Sequence, residues 1–115
     1  MTAITLNGHP AISRVAIAFV TGAFDADGLY AANSVLRESA LVPLHAHPDD
    51  RLSFVVEGTM YPGTGAEVRP DAQTPYPAGT AVLTPAGSFR WMAARDGDVR
   101  ILEIGSGQWE YIFPE

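Results

Sequence analysis

Residues 45–58 read His-Ala-His-Pro-Asp-Asp-Arg-Leu-Ser-Phe-Val-Val-Glu-Gly. Two imidazoles two residues apart on an extended chain project from one face, the arrangement that a metal or acid-base site requires. Asp49, Asp50 and Arg51 follow at once, then the strand-like Leu52 to Val56 and the turn Glu57-Gly58. Further on, Gly79, Pro85 and Gly87 stand at matching intervals before Arg90.

Outward from this stretch, short strand-like runs alternate with Gly, Pro, Asn and Asp: Val15 to Thr21, Leu52 to Glu57, Thr80 to Thr84, Phe89 to Ala94, Val99 to Ile104 and Gln108 to Phe113. That spacing predicts an all-β sandwich or barrel. Leu29 to Ala40 is ambiguous, since Leu29, Ala32, Val35 and Leu36 would also line one side of a helix. Met60 to Pro77, rich in Gly and Pro, reads as an irregular connection. Asp96-Gly97 carries the strongest local signal, a two-residue hairpin of the primed type. Its register would set Arg95 opposite Asp98, Met92 opposite Ile101, Trp91 opposite Leu102 and Arg90 opposite Glu103, the last two sharing a face.

The frame around His45 and His47 resembles the cupin superfamily. Its first motif is Gly, five residues, His-x-His, three or four residues, Glu, six residues, Gly, and maps to Ser39, His45, His47, Arg51 and Gly58. The second is Gly, five residues, Pro-x-Gly, two residues, His, three residues, Asn, and maps to Gly79, Pro85, Gly87, Arg90 and Ala94. The run His47 to Arg51, with Gly58-Thr59 and Tyr61-x-Gly63-x-Gly65 beyond it, is similar to a group of small bacterial cupins. The resemblance covers about residues 29 to 107. It implies one cupin domain over residues 1–115, a double-stranded β-helix or jelly-roll barrel, dimeric as many small cupins are. It makes Leu29 to Ala40 the strand entering His45 and points Arg90 inward. Arg90, Met92, Ala94, Val99, Ile101 and Glu103 should then line the cavity, with Phe89, Trp91, Leu102 and Ile104 facing away. Where the motif places Glu and a third His, this chain has Arg51 and Arg90.

Composition narrows the chemistry. A chain of 115 residues supports one core. A net charge of -6 argues against nucleic acid or an anionic membrane as partner and leaves small molecules or proteins. There is no Cys, which excludes thiol nucleophiles, thiolate metal sites and disulfides. All seven basic residues are Arg, so lysine Schiff-base chemistry is excluded too. Val15 to Val20 is much too short to span a bilayer and no basic stretch precedes it, so the cytoplasm is the expected compartment.

Three readings of His45 and His47 follow. As metal ligands they suit Fe, Mn, Ni or Zn, with Asp50 or Glu103 as candidate extra ligands. Against this, Arg51 and Arg90 would place two permanent positive charges beside a dication. In the metal-free reading no cofactor is required: His45 or His47 exchanges a proton near neutral pH while Arg51 and Arg90 hold a carboxylate, phosphate or enolate. In the third, the histidines are satisfied by hydrogen bonds, Arg51 pairs with Asp49, Asp50 or Glu57, and Arg90 pairs with Glu103. Phe54, Tyr61, Trp91 and Tyr30 are candidates for an apolar wall around a ligand. Trp109, Tyr111 and Phe113 form an aromatic face whose expected role is packing, within the subunit or across a dimer. His9 reads as a surface residue.

Overall fold

The computed structural model describes residues 2–3, 14–63, 74–107 and 109–113. Among them there is no helix. Ten strands follow in chain order: β1 (Thr2–Ala3), β2 (Val15–Thr21), β3 (Leu29–Leu36), β4 (Leu41–His45), β5 (Arg51–Glu57), β6 (Thr59–Gly63), β7 (Tyr76–Pro77), β8 (Ala81–Thr84), β9 (Arg90–Ala93) and β10 (Val99–Ser106). They form two antiparallel sheets, one in the order β1-β2-β3-β10-β5-β8 and the other β4-β9-β6-β7. The all-β expectation is met, and β2 has the expected limits.

Turn chemistry locates the strands. Ser39, Gly58, Gly79 and Gly87, which occupy the glycine positions of the two motifs, all have positive φ, at 67°, 79°, 97° and 77°. At Gly58 the requirement is double, because a Cβ there would also run into the Asp98 carbonyl. Ser39 adopts the same left-handed backbone with a side chain attached.

Period-2 alternation decides what lies between the sheets. In the six-stranded sheet, Val15, Leu36 and Val99 lie side by side, and Ile17, Ser34, Ile101 and Val55 form the next row. Beyond them come Ala32, Glu103 and Ser53, then Tyr30 beside Gly105. Val15, Leu36, Val99, Ile101 and Val55 of these rows join Val42, Met60 and Met92 of the other sheet in one apolar cluster, so the sheets pack face to face, while Ile17 packs with Tyr30, Ala32 and Trp109. The later rows carry the polar residues and occupy the other end.

Several expectations require correction. The Asp96-Gly97 ladder does not form: β9 pairs with β4 and β6, whereas β10 pairs with β3 and β5. Gly97 lacks the positive φ that a primed turn needs. Asp98 is instead held at the end of β3, its carboxylate accepting from Arg37 (2.9 Å) and from the Glu38 N–H (2.9 Å). The segment between β9 and β10 therefore crosses from one sheet to the other. The burial of Arg90, Met92, Ala94, Val99, Ile101 and Glu103 is as expected, although the register used to link them is not. Trp91 alternates with the inward Arg90 and Met92 and so faces away from them as expected, and it is buried there, its ring lying where a Cβ on Gly63 would stand.

Leu29 to Ala40 contains a strand, but β3 is not the strand entering His45. A turn at 37–40 intervenes and β4 delivers the histidine. Met60 to Pro77 begins and ends in the strands β6 and β7, and its centre, 64–73, lies outside the described residues, as does His9. In the run from Gln108 to Phe113 the described residues, 109–113, form no strand and make one bridge, Ile112 to Ala46.

Candidate functional site

His45 ends β4, and the bridge between Ala46 and Ile112 holds the chain extended between the two histidines. Their rings therefore share a face, with centroids 4.8 Å apart. His45 Nδ1 lies 2.7 Å from the Pro43 carbonyl and His47 Nδ1 lies 2.6 Å from the Glu110 carbonyl. A carbonyl only accepts, so both rings carry their proton on Nδ1. Arg51 Nη1 then donates to the lone pair of His47 Nε2 at 2.8 Å. Both nitrogens of His47 are used, whereas His45 retains the lone pair on Nε2. Tyr111 packs on both rings, at 5.1 and 4.9 Å.

Arg51 is 1% exposed, a buried cation at the centre of the polar end. Its guanidinium lies 4.1 Å from the centroid of the Trp109 ring and 5.4 Å from that of Tyr30. Asp49 Oδ1 is 3.5 Å from Nη2 and Glu103 Oε1 is 3.9 Å from Nη1. Both carboxylates have further donors: Ser34 Oγ to Glu103 (2.6 Å), and Tyr30 Oη (2.7 Å) and the Ser106 N–H (3.1 Å) to Asp49. A Cβ at position 105 would strike both Asp49 and the Tyr30 hydroxyl, which is why β10 carries glycine there.

Arg90 lies directly across the β4–β9 ladder from His45 and is 7% exposed. Its surroundings are much poorer. Nη2 reaches Ser53 Oγ at 3.4 Å and Nε has no hydrogen-bond partner. Among the described residues no carboxylate lies within salt-bridge distance of it. The expected Arg90–Glu103 pair is thus corrected: Glu103 faces Arg90 from the other sheet, and its nearest cation is Arg51. Burial pulls the Arg90 pKa down, with Glu103 opposing that and Arg51 adding to it. A guanidinium nevertheless stays charged.

Burial also lowers the His45 pKa to about 4; the Pro43 hydrogen bond opposes that, and the positive charges of Arg90 and Arg51 add to it. His47 is pushed further down, by burial and then by Arg51. Both rings are therefore neutral at pH 7, in contrast to the expectation of groups titrating near neutrality. Burial raises the phenols of Tyr30 and Tyr111, which remain protonated.

The structure brings His45, His47, Arg51, Arg90 and Glu103 together and leaves two other candidates out. Asp50 is exposed and accepts the Ala86 N–H at 2.8 Å. Tyr61 lies on β6, under the Arg95 guanidinium at 4.1 Å. Phe54 is partly exposed on the outer sheet face and is likewise no wall for this site. Ser34, Ser53, Thr84, Trp109 and Tyr111 join the site without having been singled out for it. Ser34 and Ser53 were detectable as inward polar positions in apolar alternating runs.

This donor set does not fit a transition metal. The Nε2 lone pair of His47 is occupied by a guanidinium, Glu103 is engaged by Ser34 and Arg51, and Asp50 faces away. No group of three or more His, Asp or Glu converges among the described residues.

Neither a protein-family model nor a curated protein matches the sequence. Solved structures do match. A cupin superfamily protein from Desulfitobacterium hafniense aligns with a TM-score of 0.66 at 13% identity, over 82% of this chain and 78% of that one. The polyketide cyclase RemF from Streptomyces resistomycificus aligns with a TM-score of 0.72 at 18% identity, over 94% and 78%. The DMSP lyase DddQ from Ruegeria pomeroyi gives 0.67 at 21%, over 82% of this chain and 47% of that one. Two face-to-face antiparallel sheets, left-handed turns at all four motif positions and these alignments agree: the chain has the double-stranded β-helix fold of the cupin superfamily.

Proposed function

We propose that the protein is a small-molecule enzyme carrying out metal-independent proton-transfer chemistry, of the isomerase, cyclase, lyase or decarboxylase type, on an anionic or enolisable substrate. The observation that carries this reading is Arg90, a buried guanidinium with one long hydrogen bond and an unpartnered Nε. A buried cation left so poorly satisfied is costly to the fold, and an anionic ligand would satisfy it. Arg51 lies near two carboxylates and a ring nitrogen, so its Nη groups order the site and only its Nε edge is left for a ligand. The polyketide cyclase and the DMSP lyase show that enzymes named for small-molecule substrates occur on this fold.

His45 is the proton acceptor, because its Nε2 lone pair is unused by the Nδ1 hydrogen bond and Arg90 is its ladder partner. In the step, a substrate C–H bond breaks, its proton forms an N–H bond at Nε2, and the electron pair moves to the carbonyl oxygen as an enolate held by Arg90. Burial is the main reason His45 stays neutral and the charges of Arg90 and Arg51 add to it; an enolate offsets those charges, so proton transfer and anion stabilisation assist each other. His47 positions Arg51.

The test follows α-proton exchange of pyruvate and related 2-oxo acids in deuterated water by proton NMR. Exchange by the native protein that disappears in His45→Ala supports the reading. Exchange that persists in His45→Ala overturns the role of His45.

We further propose a homodimer through the outer face of the six-stranded sheet. Leu52, Phe54 and Val56 of β5 project there, and Leu83 of β8, 68% exposed, lies directly beside Leu52. The face is uncharged along this row, so two copies of an acidic chain can meet on it without like-charge contact. A monomeric mass by light scattering would sink this proposal; a dimer lost on Leu83→Glu supports it. Among the described residues no helix is long and apolar enough to cross a membrane.

A further inference from the structure

Three of the buried polar atoms that lack a hydrogen-bond partner are Arg51 Nε, Arg90 Nε and Thr84 Oγ1. They are gathered in one place. Arg51 and Thr84 are direct partners in the β5–β8 ladder, so their side chains stand on the same face about 5 Å apart at Cβ. Ser53 is the next inward position on β5, and its hydroxyl takes Arg90 Nη2 from the opposite sheet. Each of the three orphaned atoms can donate. The nearby carboxylates are otherwise engaged, Glu103 by Ser34 and Arg51, and Asp49 by Tyr30, Ser106 and Arg51. Buried donors are rarely left without an acceptor, and a group of them from two sheets marks a place for one.

We propose that Arg90, Thr84, Ser53 and the Nε edge of Arg51 form the subsite for a single carboxylate of the substrate, an assignment that rests on the function proposed above and narrows its substrate class to carboxylic acids. Geometry and charge both select this head group. The Nε edge of a guanidinium is a planar two-donor fork matching the two oxygens of a carboxylate, with Ser53 and Thr84 able to donate to the remaining lone pairs. One negative charge answers the one guanidinium that lacks a neighbouring carboxylate. A phosphate dianion would bring a second negative charge that no cation of the site answers, beside Glu103 and Asp49. The reacting carbon then lies beyond the carboxylate toward His45, which is next to Arg90 in the ladder. A 2-oxo or 3-oxo acid has its acidic C–H and its carbonyl at that reach.

Isothermal titration with pyruvate, benzoate, methyl pyruvate and inorganic phosphate tests the subsite apart from turnover. Pyruvate or benzoate should bind, with affinity at least tenfold above that of the neutral ester and of phosphate. Arg90→Met should abolish this binding and Thr84→Val should weaken it by about tenfold or more, with circular dichroism confirming the fold. Thr84→Val is nearly isosteric and keeps the test decisive if Arg90→Met does not fold. Phosphate binding as tight as that of the carboxylates, binding unaffected by Thr84→Val, or no carboxylate binding at all would overturn the subsite. Carboxylate binding retained in a native protein that exchanges no α-protons would sink the enzymatic reading and leave the subsite standing.

Discussion

The two ends of the space between the sheets are lined by the same strands and are chemically opposite. Inward positions on β10 run Val99, Ile101, Glu103, and on β9 they run Met92 and then Arg90; β5 passes from Val55 through Ser53 to Arg51. At the apolar end each enclosed aliphatic side chain contributes about 1.5–3 kcal/mol through burial. At the polar end two guanidinium groups are held out of water, and only Arg51 lies near carboxylates. The difference teaches that one end supplies stability while the other is maintained against its cost, the usual signature of a site kept for binding or catalysis.

The two ends should differ most in how they respond to loss of an arginine. Arg51→Met should destabilise by about 3–5 kcal/mol, because it strands Glu103 and Asp49 without their cation. Arg90→Met removes a charge with no described carboxylate within salt-bridge distance and should cost at most about 1 kcal/mol or raise stability. Denaturant unfolding of both variants checks this. Equal losses would mean that the two cations are equivalent and the contrast is false.

Acid should act on the polar end alone. Burial holds His45 at about 4 in the folded chain against an ordinary value of 6.5, so the unfolded chain takes up this proton first as pH falls. The stability is complete above 6.5 and is lost as pH drops toward 4, by about 3 kcal/mol from His45, with His47 adding to the loss. Urea midpoints measured from pH 7 to 4 should fall accordingly, and by roughly half as much in His45→Gln, where His47 still contributes.

At the apolar end, Ile101→Val should cost about 1 kcal/mol through the lost methylene. The loss should be the same at pH 5 and pH 8, since no titrating group touches the change. A loss that varies with pH would show that the ends are coupled. The smallest effect is expected at Ser39, where glycine would relieve the left-handed backbone at φ 67°. Ser39→Gly should raise stability by a few tenths of a kcal/mol up to about 1 kcal/mol, the relief being partly offset by glycine's greater freedom in the unfolded chain. A loss would mean that the serine side chain itself is needed.

Much of this architecture was readable from local chemistry. The limits of β2, the glycine spacing and the shared face of His45 and His47 all appeared in the sequence, because alternation and turn preference act over a few residues. Asp96-Gly97 shows where such reasoning stops. Its dipeptide favours a hairpin, yet the Asp98 carboxylate is held by Arg37 and Glu38, sixty-one and sixty residues away along the chain. The strands on either side part into different sheets, because each pairs with strands remote in sequence rather than with the other. Trp109 and Tyr111 show the same limit: their alternation announced an aromatic face, while their place against Arg51 and the histidines depends on how the last segment folds back.

Residue identity and alternation were enough for the class of fold, the shared face of His45 and His47 and the set of reactive groups available, with no thiol and no lysine amine among them. Those properties are carried by residue identity and by a period of two. Tertiary structure alone decided the partners. Glu103 lies nearest to Arg51 and not to Arg90, His47 is capped, His45 keeps a lone pair and Arg90 has no described carboxylate within salt-bridge distance. Each of these depends on which strands from distant parts of the chain lie side by side or face one another. Pairing and burial over such distances are set by the packing of two whole sheets, which no local pattern encodes.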